Sequence, residues 1–268
     1  MQMKTLTTLA EACTGYSESK LPLLHRVFRY LVFLPGDLRW LGWDKFPFML
    51  GWYSWRNKVS LDEALHVTNS LVEPGDILLH RDEGYLSNLA IGGSLIHAGL
   101  AVEDGMCVEA ISEGVVRRSA AHLLWSDYSC VLRPLLPAIA KEKAVETANQ
   151  LVGFPYDYFF DFNGPKHRDL IAQYGPDAKD HGVRFCCTEI PYFCYMDFIS
   201  TLQLERRRTP TMAHTALSWC GLSTGEWVID ADMYMRANTD IVWCSKSMQP
   251  PFAQGEGYED KLAAYWQR

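Results

Sequence analysis

The chain has 268 residues, 48% hydrophobic and 13% aromatic, which is enough apolar material for one large domain, or one domain with an appendage, to bury its own core. Its formal net charge of -7 leaves no broad basic field of the kind that binds nucleic acid by counterion release, so no nucleic-acid partner is expected. Eight cysteines are too sparse for a disulfide scaffold of this size, and no pair of CxxC motifs supports a structural zinc site.

In chain order, "MQMKTLTTLAEACTGYSESK" contains acid and lacks a long apolar stretch, so a cleaved signal peptide is not expected. No apolar run reaches the roughly 18 residues of a membrane span, and the expected location is the reducing cytoplasm. "LPLLHRVFRYLVFL" predicts a mostly buried helix over residues 21–34, stopped by Pro35-Gly36. Four tryptophans follow, Trp40, Trp43, Trp52 and Trp55. They mark either the packing of an N-terminal subdomain or a peripheral contact with a membrane surface or acyl chain. Residues 1–59 are accordingly a helical, aromatic-rich extension, residues 60–248 the main domain, and residues 249–268 a C-terminal tail.

Ser60 with Glu63 forms a capping box for a short helix. After Pro74-Gly75-Asp76, "ILLH" reads as a strand, and "SLIHAGLAV", "MCVEAI" and "VVRRS", separated by short Gly-containing turns, as an antiparallel meander. "SCVLRPL" adds a strand, and "PAIAKEKAVETANQLVG" an amphipathic helix from Pro137 to Gly153. Residues 154–183 read as a long loop. "CTEIPYFCYMDFIS" reads as a buried helix, "LERRRTPTMAHTAL" as a second polar excursion, and "GEWVID" and "TDIVWCS" as closing strands.

Alternation along "SLIHAGLAV" puts Leu95, His97, Gly99 and Ala101 on one face, and an imidazole among small residues has room to act as a base. Whether Glu109 reaches it depends on the turn. A two-residue loop at Asp104-Gly105 sets Glu109 opposite Leu100 and on the wrong face; a three-residue loop Glu103-Asp104-Gly105 sets it opposite Gly99 and diagonal to His97. A carboxylate on an otherwise apolar strand needs a partner, since burying it alone costs several kcal/mol or drives it to protonate. A core histidine satisfied by backbone is the plain alternative for His97. Cys187 opens the helix with Thr188 and Glu189 in its first turn, a position that favours the thiolate and offers N–H groups to an oxyanion, although Pro191 lacks the N–H that would bond the Cys187 carbonyl. Cys186 points elsewhere, and two buried, inert cysteines are the alternative. The other histidines, among them His80, His122, His167, His181 and His214, have no HxxxH or HxH spacing, so no metal is expected.

"PGDILL", "HAGLAV", "VEA", "GFPYDYFF" and "FCCTEIPYFCY", in that order, together with the late "VIDADMYMRANTDIVW", resemble the YiiX-like branch of the NlpC-type cysteine peptidases. The resemblance runs from about Pro74 to Trp243. It implies an α+β, circularly permuted papain-like fold, with a small antiparallel sheet or partial barrel packed against helices that include the one carrying the nucleophile. It implies Cys187 as nucleophile, His97 as base and Glu109 as orienter, with Tyr156 and Thr188 at the substrate and no cofactor. The cysteine follows the histidine in the chain, the reverse of ordinary papain-like enzymes, which a triad defined by geometry permits. The expected function is cysteine hydrolysis of a peptide, isopeptide or peptidoglycan-type amide. A lipid or thioester deacylase or acyltransferase, and a non-catalytic binding module on the same fold, are the alternatives.

Overall fold

The structure, a computed structural model, describes residues 39–40, 50–51, 57–83, 93–157, 163–205 and 230–268. The expected helix over residues 21–34, the side chains of Trp40, Trp43, Trp52 and Trp55, most of the polar run after Leu204 and all but Asp230 of the expected strand at residues 225–230 lie outside them. Within the N-terminal extension, Arg39–Trp40 pairs antiparallel with Leu50–Gly51.

Six strands build one open antiparallel sheet: β1 Ile77–Arg81, β2 His97–Ala101, β3 Met106–Ile111, β4 Gly114–Ser119, β5 Tyr128–Pro134 and β6 Thr239–Cys244. Their order is β4-β3-β2-β1-β5-β6. Side chains alternate across the sheet and feed two cores. On one side Leu78, Ala101, Cys107, Val131 and Trp243 meet α1 (Leu61–Ser70) and α2 (Ala120–Leu124) through Ala64, Val67, Leu123 and Leu124. On the other, Ile77, Leu79, Ala98, Leu100, Val108 and Leu132 meet α3 (Ala138–Leu151) and the later helices. Helices therefore cover both faces, and the class is α+β.

Local chemistry fixes the elements as expected in several places. Ser60 Oγ accepts the Glu63 N–H at 3.1 Å, capping α1. At the Pro74-Gly75-Asp76 corner, Gly75 takes φ 91°, and buried Asp76 accepts from Arg133 Nε and Nη2, each at 2.9 Å, and from the Glu73 N–H at 2.8 Å. That clamp ties the entrance of β1 to β5.

The β2–β3 connection combines features of the two loops weighed above. Asp104 and Gly105 both take positive φ, 61° and 66°, and Met106 N–H donates to the Glu103 carbonyl at 3.2 Å, as in a two-residue primed turn. Yet Val102 N–H, not Glu103 N–H, returns to the Met106 carbonyl, at 2.8 Å, so Glu103 is the extra residue of a bulge. The register is that of the three-residue loop: Gly99 faces Glu109, Leu100 faces Val108 and Ala101 faces Cys107.

Three segments differ from the expectation. Inside the supposed loop over residues 154–183 lies α4 (Gly164–Tyr174), capped by Asn163 Oδ1 accepting from Lys166 N–H, followed by a 3-10 segment, Gly175–His181. The expected long helix after the cysteines is broken into α5 (Glu189–Cys194), a 3-10 turn Met196–Phe198 and α6 (Ile199–Leu202). Residues 249–268, read as a tail, include α8 (Glu259–Trp266), whose Leu262 is in the core and whose Lys261 Nζ donates to the Met235 and Ala237 carbonyls beside α7 (Asp232–Arg236). Among the described residues no helix is long and apolar enough to cross a membrane.

Gly99 holds the sheet open where Glu109 leans toward β2. A Cβ there would lie 2.8 Å from Leu123 Cδ1 and 3.3 Å from both Glu109 Cβ and the Val108 carbonyl. Gly99→Ala is therefore expected to destabilise the fold by about 1–3 kcal/mol through overpacking, measured by denaturant unfolding; an unchanged midpoint would show that the pocket can relax.

Candidate active site

Register places four ionisable side chains in a row on the α1/α2 face, one from each of four neighbouring strands. His80 on β1 stands directly opposite His97 on β2; Glu109 on β3 stands opposite Gly99, one step diagonal to His97; Arg118 on β4 stands opposite Cys107. The spacing lets each touch the next. The His80 and His97 rings meet edge to face, with centroids 4.7 Å apart. His97 Nε2 lies 2.5 Å from Glu109 Oε2, and Arg118 Nε donates to Glu109 Oε1.

Glu109 is fully buried, with 0% side-chain exposure, against 17% for His97 and 31% for Arg118. Burial alone would raise its pKa, but the hydrogen bonds and charges of His97 and Arg118 outweigh it and bring the carboxyl down to about 2. An ionised carboxylate in this apolar layer then favours a cationic ring beside it. Arg118 was not singled out in the sequence, where "VVRRS" offers two neighbouring arginines with nothing to distinguish them. Alternation decides between them: Arg118 shares the Glu109 face, while Arg117 faces out and is exposed.

The segment bearing Cys187 arrives from the other core, since it leads into α5, whose Ile190, Tyr192 and Phe193 pack there. Its sulfur reaches the start of β2. Cys187 is 8% exposed, and its Sγ lies 3.7 Å from the Ile96 carbonyl, the acceptor for a thiol proton. Burial opposes a thiolate, but the charge and hydrogen bond of His97, with the N–H groups of Ala98 and Thr188, lower its pKa below the usual value. His97 responds in kind: burial works against its cation, but Cys187 and Glu109 together raise it to about 10. With Nε2 given to Glu109, Nδ1 is left to serve the sulfur.

Cys186 is the contrast. Its Sγ lies 3.4 Å from Thr188 Oγ1, and burial with the nearby carboxyl of Glu189 pushes its thiol well above the usual value. The Thr188 side chain is thus turned to Cys186, and what Thr188 offers Cys187 is its N–H; its carbonyl accepts from the Tyr234 hydroxyl at 2.5 Å. Tyr156, bridged to Phe185, has a phenol raised well above its usual value by burial and by the fields of Cys187 and Cys186, so it stays protonated beside them. The helix itself begins at Glu189, two residues beyond Cys187, because Pro191 cannot supply the N–H that an earlier start would need. The Cys187 carbonyl instead accepts from Ile190 N–H in a tighter turn, at 3.4 Å.

The approach to β2 is pinned as well. Buried Asp232 accepts the N–H groups of Ser94, at 2.5 Å, and Leu95, at 3.0 Å, and the Tyr258 hydroxyl at 2.8 Å. Among the described residues no group of three or more His, Cys, Asp or Glu side chains is arranged to hold a metal ion.

No family profile matches the chain, and no curated protein matches it in sequence. Among solved structures it is similar to the metalloprotein YiiX from Escherichia coli O157:H7, at 17% identity and a TM-score of 0.47, over 65% of this chain and 97% of that one.

The folded value of Glu109 lies below the ordinary 4.5, so its charged form stabilises the protein above about pH 4.5, and that contribution is lost as pH falls toward 2. Glu109→Gln, neutral at every pH, is expected to cost about 3–5 kcal/mol at neutral pH by leaving its two cationic partners uncompensated, and to flatten the acid limb of stability. Denaturant melts between pH 7 and pH 3 measure both. An acid limb as steep as that of the parent would place the sensitivity elsewhere.

Proposed function

We propose that the protein is a cysteine hydrolase on a circularly permuted papain-like domain, with Cys187 as nucleophile, His97 as acid and base and Glu109 as orienter. One observation carries the reading: a single imidazole bonds a buried carboxylate through Nε2 and pairs with the lowered thiol of Cys187. Such a nucleophile–base–orienter arrangement is the working part of acyl-transfer sites on unrelated folds.

The chemistry follows from the pair. The Cys187 thiolate attacks the carbonyl carbon of an amide, and the oxygen takes the displaced electron pair. Thr188 N–H and the protonated Tyr156 phenol, both near the sulfur, are the donors at hand for that oxygen. As the C–N bond breaks, imidazolium His97 gives its proton to the departing nitrogen, leaving a thioester on Cys187. Water then attacks the thioester with His97 taking a proton, and the carboxylic acid and the thiolate–imidazolium pair are released. Glu109, held ionised by Arg118, keeps Nε2 protonated and Nδ1 directed at the sulfur through both steps. The substrate class proposed is a peptide, isopeptide or peptidoglycan-type amide, acted on in the cytoplasm.

Reactivity gives the test. Iodoacetamide at pH 7 is expected to alkylate Cys187 on the order of 10-fold faster than Cys186, because only the former is held toward the thiolate. The advantage should persist as pH rises toward 10, where His97 loses its proton. Cys187→Ala should abolish acylation by a p-nitrophenyl ester without changing the thermal melt. Uniformly slow cysteines, or an acylated Cys187→Ala variant, would leave the binding-module reading in its place.

A further inference from the structure

The site described above uses His97, Glu109 and Arg118 but gives no work to His80, the fourth member of the row. His80 touches the site twice. Its ring stands edge to face with His97 at 4.7 Å, and its carbonyl accepts the N–H of Ile96 at 3.3 Å, the residue whose own carbonyl lies against Cys187 Sγ.

The hydrogen bonds around His80 fix its tautomer. His80 Nδ1 lies 3.1 Å from Ser126 Oγ. Ser126 has one hydroxyl proton, and its oxygen lies 2.6 Å from Asp82 Oδ1 and 2.9 Å from the Arg81 carbonyl, neither of which can donate. That proton is therefore spent on an acceptor, and Ser126 Oγ can only accept from His80. The ring carries its proton on Nδ1 and a lone pair on Nε2.

Its charge state is set by a different group of neighbours. Burial and the charges of His97 on β2 and Arg118 on β4 oppose a second cation, outweighing Asp82 after β1 and Glu109 on β3, and lower its pKa to about 4. His122 on α2 shares Arg118, Glu109 and Asp82 as neighbours and is itself lowered, chiefly by burial. Arg81, on the same strand as His80, turns away to the Gly93 carbonyl, and the β5 residue opposite, Ser129, is uncharged.

We propose that His80 is a positioning residue: an imidazole locked through Ser126 and Asp82, whose ring holds the His97 ring in place beside the Cys187 sulfur. The inference rests on the reading of Cys187 and His97 as a nucleophile–base pair. Without the buttress, His97 keeps its bond to Glu109 but gains the freedom to rotate about it, and the thiol loses the cation that lowers it.

Two variants separate ring from hydrogen bond. His80→Asn keeps an N–H for Ser126 without a ring, and His80→Phe keeps a ring without the N–H. The probe is iodoacetamide, with the rate at Cys187 followed by mass spectrometry from pH 5 to pH 10 and folding checked by circular dichroism. In His80→Asn the rate at pH 6.5 is expected to fall on the order of 10-fold and the rate at pH 10, where the parent is losing the His97 cation as well, by much less. His80→Phe should keep at least a third of the parent rate at both. A general loosening of the fold would instead speed alkylation of the buried Cys186 and Cys194 as well. The proposal is overturned if the His80→Asn profile superimposes on the parent, or if His80→Phe falls with it. Failure of the hydrolase reading looks different: the parent itself would then show no fast Cys187 at pH 6.5.

Discussion

A fully buried carboxylate on a central strand is the constraint around which this sheet is arranged. Glu109 has no access to water, and an isolated charge in such a layer is too costly to persist. It stays ionised because each of its two oxygens has a cationic partner, His97 on one neighbouring strand and Arg118 on the other. Both partners are delivered by strand register and by nothing else. A slip of one residue on β2 or β4 would send His97 or Arg118 to the opposite face and strand the carboxylate. The Glu103 bulge and the bare Gly99 are thus parts of an electrostatic device as much as of a turn and a strand: one sets which residue lies opposite, and the other clears the space through which Glu109 leans.

The two adjacent cysteines show how far surroundings, not residue type, set chemistry. Cys186 and Cys187 share a buried segment, yet one thiol is pushed up and the other down. The difference lies in what each sulfur meets. Cys187 meets a cationic ring and two backbone N–H groups; Cys186 meets a hydroxyl and the field of Glu189. Two glutamates divide in the same manner. Glu109, between two cations, is held near 2, whereas Glu189 is raised well above its usual value by burial and by Asp157, which outweigh the hydrogen bonds it accepts from Cys186.

Much of this geometry was readable in the sequence because it rests on period-two alternation and on turn chemistry. The faces of "HAGLA" and "MCVEAI" follow from spacing, and Gly105 favoured the loop that brings Glu109 to the His97 side; Leu95, read onto the His97 face, lies ahead of the strand and packs in the opposite core. The turn itself was only half legible, since Asp104 adopts positive φ as well, a choice open to aspartate that its sequence position does not announce. Arg118 was hidden by Arg117, because the faces of β4 are set by a pairing no local pattern encodes. Helix α4 was missed for a different reason: only its Leu170 and Ile171 pack against the core as hydrophobics, so "GPKHRDLIAQY" lacks a clear 3.6-residue stripe. The break after α5 was foreshadowed at one end only; Pro191 delayed its start, but nothing in "CYMDFIS" marks the turn at Met196–Phe198.

Counting charge across the row explains why its first member differs from the rest. Arg118 and an imidazolium His97 supply two positive charges, and Glu109 and a thiolate Cys187 supply two negative ones, so the cluster is neutral with its proton on the ring. A cation on His80 would add an unmatched charge 4.7 Å from the His97 ring, and Asp82, the acid outside the row that favours it, is already occupied by Ser126 and by the Asp127 N–H at 3.2 Å. In a low-dielectric layer a like-charge contact of that length costs several kcal/mol. The fold's solution is to surround His80 with groups that take its Nδ1 proton as a hydrogen bond and supply no second one. An imidazole in that state packs like an aromatic side chain against the one ring in the row that has to carry charge.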